Sequence, residues 1–271
     1  MAGADQRFHD LHDEGLLILA NATDAGSARI VEAMGARAVA TSSAALAWSW
    51  GYRDGNQLPL ALLKASVEAM SRVLTVPLSV DIEGGYSDDP EAVGRVVEAV
   101  VAAGAVGINL EDGHSSPELL CRKIEAARRV SQAMGVNLFV NARTDVTLKA
   151  LVPPEQQLEE TQKRASLYAQ AGANGIFAAG MVAAHDIGEL CRSSPLPVNL
   201  MYRLELPETD TLRRLGVRRL SAGSAIAEFL YGANAGIAAT FMQTGELSTR
   251  SLEAYTYRAL NELMPPGAGS L

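Results

Sequence analysis

Short apolar runs alternate along the chain with longer segments in which apolar residues recur every three or four positions. The runs are typical of buried parallel strands, and the longer segments have the spacing of amphipathic helices. In segment 90–103 this spacing places five valines on one face, namely Val93, Val96, Val97, Val100 and Val101. Strands are predicted at 16–20, 38–41, 78–82, 107–110, 138–142, 175–179, 198–201 and 219–222.

Eight strand–helix units in succession predict one α/β domain, a (β/α)8 TIM-type barrel that covers residues 1–271. A doubly wound open sheet is the alternative architecture. Segments 118–134 and 154–171 are predicted barrel helices, whereas 225–244 and 247–263 are predicted to be additional C-terminal helices. Residues 264–271 contain two prolines and two glycines and are predicted to form a frayed tail.

The composition narrows the classes of partner. The chain has 271 residues, 48% of them hydrophobic, which is enough for one large core. Its net charge of −8 argues against a nucleic-acid or anionic-membrane partner. No apolar run approaches the ~18 residues of a membrane span. Only Cys121 and Cys191 are present and the N-terminus has no signal-like apolar region, so we expect a cytoplasmic protein.

Acidic residues end two consecutive predicted strands. Asp81 and Glu83 end the strand at 78–82, and Glu111 and Asp112 follow the strand at 107–110. In a barrel the carboxyl ends of neighbouring strands meet at one face, where several carboxylates repel one another unless a cation neutralises them. We therefore predict that Asp81, Glu83 and Glu111 hold Mg²⁺, with Mn²⁺ as the alternative ion. Because Mg²⁺ tends to keep several waters, we expect one direct ligand and two that act through water.

Arg143 follows the predicted strand at 138–142 and is the obvious counter-charge. Its rigid guanidinium suits the capture of a substrate carboxylate or phosphonate through two nitrogens. The alternative is an internal ion pair with Glu111 or Asp145, and both roles can hold together. Asp145 is also a candidate for capping a turn.

Three further polar positions lie at strand ends. Ser42, Ser43 and Ala44 form a small-residue turn whose backbone amides are suited to binding an anion. Asn199 belongs to the seventh predicted strand and is a candidate for substrate binding. Asp24 precedes a helical segment, so it is predicted to be a helix cap.

A cation beside an anion-binding turn and an arginine predicts a small, doubly negative ligand. A 2-oxo acid chelates a metal through its keto oxygen and its carboxylate. Polarisation of the keto oxygen stabilises an enolate, which is the intermediate of carbon–carbon cleavage beside a carbonyl.

Five motifs in order along the chain resemble those of the isocitrate lyase/phosphoenolpyruvate mutase superfamily. The first is Thr41-Ser42-Ser43 with the downstream Gly51-Tyr52-Arg53-Asp54, and the second is Asp81-Ile82-Glu83-Gly84-Gly85-Tyr86. The others are Gly107-Ile108-Asn109-Leu110-Glu111-Asp112, Asn141-Ala142-Arg143-Thr144-Asp145, and Ala171-Gly172-Ala173-Asn174-Gly175-Ile176-Phe177. Together they span most of the chain.

The resemblance implies a Mg²⁺-dependent barrel enzyme that acts on 2-oxo acids or their phosphonate relatives. It implies that Asp81 is the direct metal ligand, that Glu83 and Glu111 act through water, and that Asp54 lies near the water shell of the metal as a catalytic residue. It also implies that Arg143 and the Ser42–Ala44 amides bind the substrate carboxylate. The superfamily exchanges its last barrel helix between subunits, so we expect a homodimer or homotetramer with 225–263 at the interface.

The segment after Asp112 departs from the superfamily pattern. Its lyases carry a Lys-[Lys/Arg]-Cys-Gly-His loop, whereas this chain has Gly113-His114-Ser115-Ser116 and lacks both that lysine and that cysteine. His114 is either the proton donor or a solvated loop residue. We expect a Mg²⁺-dependent lyase for a small 2-oxo acid. The alternatives are a phosphonopyruvate/phosphoenolpyruvate mutase or hydrolase and, in another class, a non-catalytic 2-oxo acid binding protein.

Overall fold

The computed structural model of the protein describes residues 3–13, 15–247 and 255–265, and parallel strands dominate its centre. The strands are β1 (Leu17–Leu19), β2 (Asn21–Ala22), β3 (Val39–Thr41), β4 (Leu78–Asp81), β5 (Gly107–Glu111), β6 (Phe139–Thr144), β7 (Gly175–Ala178), β8 (Val198–Met201) and β9 (Arg219–Ser221). They form one sheet in the order β1-β9-β8-β7-β6-β5-β4-β3-β2.

The sheet closes through its first strand. β1 pairs in parallel with β9, and β2, one residue further along the chain, pairs in parallel with β3. β1 and β2 therefore act as one barrel strand interrupted at Ala20, and the nine segments make an eight-stranded barrel. The predicted barrel is confirmed, and the open sheet is excluded.

The helices follow the strands as the apolar spacing predicts. They are α1 (Ala4–Asp10), α2 (Ala25–Ala33), α3 (Ser43–Ser49), α4 (Leu60–Val73), α5 (Pro90–Ala102), α6 (Pro117–Ala133), α7 (Gln157–Gln170), α8 (Ala184–Ser193), α9 (Thr209–Leu215), α10 (Ala225–Thr244) and α11 (Tyr257–Leu263), with a 3-10 turn at Pro154–Gln156. All five predicted valines of α5 are buried. Each such burial contributes roughly 1.5–3 kcal/mol. In the described residues, no helix is long and apolar enough to cross a membrane.

Helix α1 closes the amino end of the barrel, and the sequence pattern did not predict it. Phe8 is fully buried and packs edge-on against Phe139 at 5.4 Å between ring centroids. His12 stacks on the same ring at 4.1 Å. A Cβ atom at Gly107 would lie 2.5 Å from the Phe8 ring, so only glycine allows this close approach.

The C-terminal prediction needs a correction. We expected helix over 247–263, but Leu247, Tyr255 and Thr256 are not helical, and α11 begins at Tyr257. Its start is set by Thr256, whose side chain accepts a hydrogen bond from the Ala259 amide. Residues 248–254 lie outside the described residues, as do residues 266–271 of the predicted tail.

Helix α10 is mostly exposed, although it is rich in apolar residues. Phe229 is 77% exposed and Met242 is 80% exposed. The outer face of the seam between β1 and β9 is also uncovered, and Ile18 on this face is 50% exposed. An apolar groove of about 290 Å³ runs along the seam, lined by Ile18, Leu220 and Phe229 among others.

Candidate active site

A cavity of about 190 Å³ opens at the carboxyl end of the barrel strands. Six of the residues singled out from the sequence line it together, namely Ser42, Ser43, Ala44, Asp54, Asp81 and Arg143. They come from the end of β3, the segment after α3, the end of β4 and the end of β6. The fold thus places the anion-binding candidates and two of the acidic candidates on the walls of one cavity.

The Ser42–Ala44 turn is the start of α3. The Ser42 side chain caps the helix by accepting from the Ala45 amide at 3.4 Å, and the Ser42 carbonyl accepts from the Leu46 amide. Within the described residues the amides of Ser43 and Ala44 have no protein acceptor. These two N–H groups are therefore available to a ligand in the cavity.

Asp81 is held in place by groups on both neighbouring strands. Its carboxylate accepts from the Glu83 amide at 3.0 Å and from the Asn109 side-chain amide at 3.3 Å, and its own amide donates to Thr41 Oγ1. Burial raises the pKa of the Asp81 carboxyl, whereas the nearby Arg143 guanidinium opposes this rise. The carboxylate is well oriented but incompletely balanced in charge.

Glu83 lies behind Asp81 and is buried. Burial raises the pKa of its carboxyl, and repulsion from Asp54 and Asp81 raises it further. The Asn56 amide and Tyr86 act in the opposite direction. Glu83 does not line the Asp81 cavity.

Glu111 at the end of β5 is a third acid whose carboxyl pKa is raised. Burial raises the pKa of its carboxyl to about 7. Arg143 Nη1 is 2.7 Å from its Oε2, and Lys149 Nζ is 3.9 Å from its Oε1. Five carboxylates, those of Asp54, Asp81, Glu83, Glu111 and Asp145, lie near the cationic side chains of Arg143 and Lys149, and Asp81 also interacts with the buried Arg219.

Arg143 makes both of the internal ion pairs considered as alternatives. Its Nη1 binds Glu111 and its Nε binds Asp145 Oδ1, each at 2.7 Å. Its guanidinium carbon also lies 5.7 Å from the centre of the Phe177 ring. Within the described residues Nη2 is the guanidinium nitrogen without a protein partner, so a substrate carboxylate can be bound by Nη2 together with the second N–H of Nη1.

Asp145 does not cap a turn through its side chain. Its carboxylate is buried between Arg143 Nε and Lys149 Nζ, which lie 2.7 and 2.8 Å away. Its amide donates to Asp112 Oδ1 at 2.9 Å. Asp145 therefore orients Arg143, and Asp112 in turn fixes the backbone of Asp145.

Four predicted site residues do not line the Asp81 cavity, namely Glu83, Glu111, Asn199 and His114. Asn199 is 1% exposed and bonds within the barrel, where its amide donates to the Leu200 carbonyl at 2.8 Å and to Ser221 Oγ at 3.3 Å. His114 is exposed and lines a neighbouring cavity of about 340 Å³ with Glu111 and Lys149. Asp24 caps α2 as predicted, accepting from the Ser27 amide.

Sequence reasoning missed three residues of the site region. Asn109 bonds Asp81, Lys149 bonds Asp145, and Asn56 bonds the Glu83 loop. The position of Asn109 could have been predicted from the sequence, because Asn109 lies two residues before Glu111 on β5 and so points to the same face of the strand. Asn56 and Lys149 lie in loops, and their contacts depend on loop conformation.

The donor set fits a hard cation held partly through water. In the described part of the chain, no three His, Cys, Asp or Glu side chains are arranged to ligate one ion directly. The clustered acids are nevertheless all oxygen donors with excess negative charge, and Mg²⁺ commonly takes one or two carboxylates and keeps waters. The residues thus fit one direct carboxylate ligand with other acids behind it.

Comparison with known proteins places the chain in a family. The model of the phosphoenolpyruvate phosphomutase family matches residues 8–242. The chain belongs to this family. The superfamily resemblance seen in the motifs is thereby confirmed.

Three proteins of known sequence or structure are similar to this chain. The crystal structure of a candidate phosphonomutase from Burkholderia cenocepacia has a TM-score of 0.83 and 38% identity, over 87% of this chain and 98% of that one. An uncharacterised protein of Mycobacterium tuberculosis is 36% identical over 80% of this chain and 81% of its own length. Oxaloacetate decarboxylase of Rhodopseudomonas palustris is 28% identical over 62% of this chain and 60% of its own.

Proposed function

We propose that the protein is a Mg²⁺-dependent carbon–carbon lyase that acts on a small 2-oxo acid or 2-oxo dicarboxylate. The observation that carries this proposal is the Asp81 cavity. Its walls combine acids suited to a cation, Asp54 and Asp81, with anion-binding groups, the amides of Ser43 and Ala44 and the guanidinium of Arg143. A 2-oxo acid fits both sets of groups, because its keto oxygen can bind the cation and its carboxylate can bind the amides and the guanidinium. The relationship to an oxaloacetate decarboxylase supports the same substrate class.

In this proposal Asp81 holds Mg²⁺, or Mn²⁺, directly, while Glu83 and Glu111 act through water. Burial raises the pKa of all three carboxyls and neighbouring carboxylates raise it further, so keeping these groups ionised without a cation costs free energy. When bound, the cation supplies positive charge beside the keto oxygen, which becomes negative as the neighbouring carbon–carbon bond breaks.

The protein's own groups bind and orient the substrate. The amides of Ser43 and Ala44 and the Nη2 of Arg143 receive the carboxylate. Glu111 and Asp145 fix the plane of the guanidinium, and the Phe177 ring packs beside it. The proton for the product comes from water or from His114, which lies on the far side of the Glu111–Arg143 pair.

Turnover of C4–C6 2-oxo and 2-hydroxy acids tests the proposal. Purified protein with Mg²⁺ should release CO₂ and pyruvate from oxaloacetate, or cleave a related acid to glyoxylate, oxalate or acetate, and excess chelator should stop the reaction. If product chromatography shows that none of these acids is consumed, the proposal is contradicted. Tight binding of these acids without turnover would instead identify a non-catalytic 2-oxo acid binding protein.

A phosphonopyruvate mutase or hydrolase is the second candidate function. The observation that favours it is the 38% identity to a candidate phosphonomutase over 98% of that chain. Phosphorus NMR of a phosphonopyruvate incubation separates the reactions, because a mutase yields a phosphate ester, a hydrolase yields inorganic phosphate, and a lyase for carboxylic acids leaves the signal unchanged.

We further propose that α10 packs on the barrel of a second copy, in a homodimer or homotetramer. Seven helices, α2 and α4–α9, follow the barrel strands in the described part of the chain, while the β1–β9 seam and α10 both remain exposed. Apolar surface on both is the expected feature of an interface. Light scattering should show an oligomer, and Phe241→Glu with Met242→Glu should shift it to monomer while Lys64→Glu on α4 should not. A monomeric wild-type protein would contradict this arrangement.

A further inference from the structure

The segment 51–57 brings Asp54 to the Asp81 cavity, although every residue of this segment is exposed. Few contacts therefore hold this segment in place. Among the described residues, the hydrogen bonds of residues 53–57 are one bond within the segment, from Gln57 Nε2 to the Gly55 carbonyl, and two bonds that leave it. Both of the bonds that leave it are made by Asn56.

Asn56 makes two hydrogen bonds to the turn that carries Glu83. Its backbone amide donates to the Glu83 carboxylate, and its side-chain Oδ1 accepts from the Tyr86 amide at 3.1 Å. One residue thus holds both ends of the 83–86 turn. Asn56 lines the neighbouring cavity rather than the Asp81 cavity, so it acts on the site through Glu83 and through the segment that carries Asp54.

The backbone at this contact is unusual at three positions. Asn56, Glu83 and Tyr86 have φ angles of 58°, 52° and 60°. In the described part of the chain only one other non-glycine residue, Ala150, has positive φ. Such conformations are unfavourable for residues other than glycine and persist where surrounding contacts fix them. The Glu83 backbone is held by its amide bond to Asp81 and by the Glu111 amide, and the two bonds of Asn56 join all three of these positions to one another.

We propose that Asn56 is a positioning residue that joins the Asp54 segment to the 81–86 loop, so that the two loops form one cation-holding unit. This inference rests on the proposed cation site. The carboxylates of Asp54, Asp81 and Glu83 repel one another, and the Glu83 carboxylate is oriented by the Asn56 amide together with the Tyr86 side chain. Without this connection residues 53–57 keep, among the described residues, no hydrogen bond to the rest of the chain that would hold them against that repulsion.

Three variants separate the parts of this contact. Asn56→Ala removes the bond to Tyr86 and places a side chain that disfavours positive φ at this position. Asn56→Gly also removes the bond to Tyr86 but keeps the backbone amide and tolerates φ of 58°. Gln57→Ala is the matched control, because the Gln57 side chain bonds only within the segment.

Mn²⁺ affinity, followed by the electron paramagnetic resonance of the free ion, is the first readout. Loss of residues that hold metal ligands typically weakens binding by 10–100-fold. We expect Asn56→Ala to bind Mn²⁺ about tenfold more weakly than the wild type, and Asn56→Gly about threefold more weakly. Gln57→Ala should match the wild type, and the melting temperatures should stay within about two degrees. Equal affinity of Asn56→Ala and wild type would overturn the inference.

Amide hydrogen exchange without metal is the second readout. Peptides that cover residues 82–87 should exchange faster in Asn56→Ala and Asn56→Gly than in Gln57→Ala. Unchanged exchange in the Asn56 variants would overturn the inference, whether or not the wild type binds Mn²⁺. Failure of the wild type to bind Mn²⁺ would separately contradict the proposed cation site. If Asn56→Ala fails to fold, Asn56→Gly alone decides through the same two measurements.

Discussion

Glu111 and Asp112 are neighbours in the chain, yet their carboxylates lie in opposite surroundings. Asp112 is 3% exposed and is bound by Arg164 Nη1 at 2.8 Å, by the Tyr168 hydroxyl at 2.6 Å and by the Asp145 amide. Glu111 shares Arg143 with Asp145, and burial raises the pKa of its carboxyl to about 7. Burial alone therefore does not mark a functional acid, because the missing partners make the difference.

The alternation of a strand explains how one dipeptide serves both roles. Successive side chains point to opposite faces, so Glu111 faces the barrel mouth while Asp112 faces α7, which carries Arg164 and Tyr168. Asp112 is fully bonded and supports the backbone of Asp145, which in turn orients Arg143. We infer that the Asp112 side contributes stability and the Glu111 side contributes binding.

The largest expected effect is the loss of Asp112. Asp112→Ala leaves Arg164 and the Tyr168 hydroxyl without this partner in a buried place, which should lower the free energy of unfolding by roughly 3–5 kcal/mol. Urea unfolding measures this change, with Glu111→Gln as the control on the other side of the strand. A loss below about 1 kcal/mol would remove the distinction between the two acids.

Asp81 should show the opposite behaviour. Asp81→Asn removes one of several crowded carboxylates, so stability without divalent cation should be unchanged or higher, whereas turnover should fall roughly 100–1,000-fold. Steady-state kinetics with saturating Mg²⁺, together with urea unfolding in chelator, measures both. A variant that unfolds more easily but keeps its turnover would reverse our assignment.

The pH dependence of stability sharpens the contrast at Glu111. Because burial raises the pKa of this carboxyl from 4.5 to about 7, the folded state binds the proton more tightly than the unfolded state does. Its contribution is therefore fully present below about pH 4.5 and is lost as pH rises through about 7, on the order of 3 kcal/mol in total.

Unfolding in chelator between pH 4.5 and 8 checks this sign. Relative to Glu111→Gln, the wild type should lose stability as pH rises across this window. Divalent cation should restore stability most at high pH, where Glu111 is ionised. A wild type that gains stability over the variant as pH rises would contradict the assignment.

The smallest expected effect separates the side chain of Ser42 from the amides beside it. Ser42→Ala removes the cap of α3 and should cost about 1 kcal/mol of stability. The Ser43 and Ala44 amides remain, so the KM for a 2-oxo acid should change less than about twofold. Thermal unfolding and kinetics on the same preparation test this, and a large rise in KM would assign substrate binding to the hydroxyl.

The sequence predicted the features that follow from repeated local patterns. The apolar runs located the barrel strands, and the valine spacing of segment 90–103 predicted the buried face of α5, because strand and helix periodicities are local properties. Helix α1 was missed because it has seven residues and only Phe8 is buried. The start of α11 was misplaced because its cap, Thr256, lies inside a stretch that carries no strong break signal.

The candidate site was predictable in its strand ends and unpredictable in its loops. Asp81, Arg143 and the Ser42–Ala44 turn line one cavity because the barrel brings all carboxyl ends of its strands to one face. The roles of Asn56 and Lys149 depend on contacts between loops distant in sequence. The burial of Asn199 inside the barrel was not predicted either, because a position in a strand does not specify depth along the barrel axis.

Calorimetric titration of Mg²⁺ and then of a stable 2-oxo acid such as pyruvate, into wild type and into an Asp81→Ala, Glu111→Ala double variant, tests the central claim most directly. We predict that the wild type binds the acid only after Mg²⁺ and that the folded double variant binds neither. Mg²⁺-dependent binding of equal strength in the double variant would show that these carboxylates do not form the site.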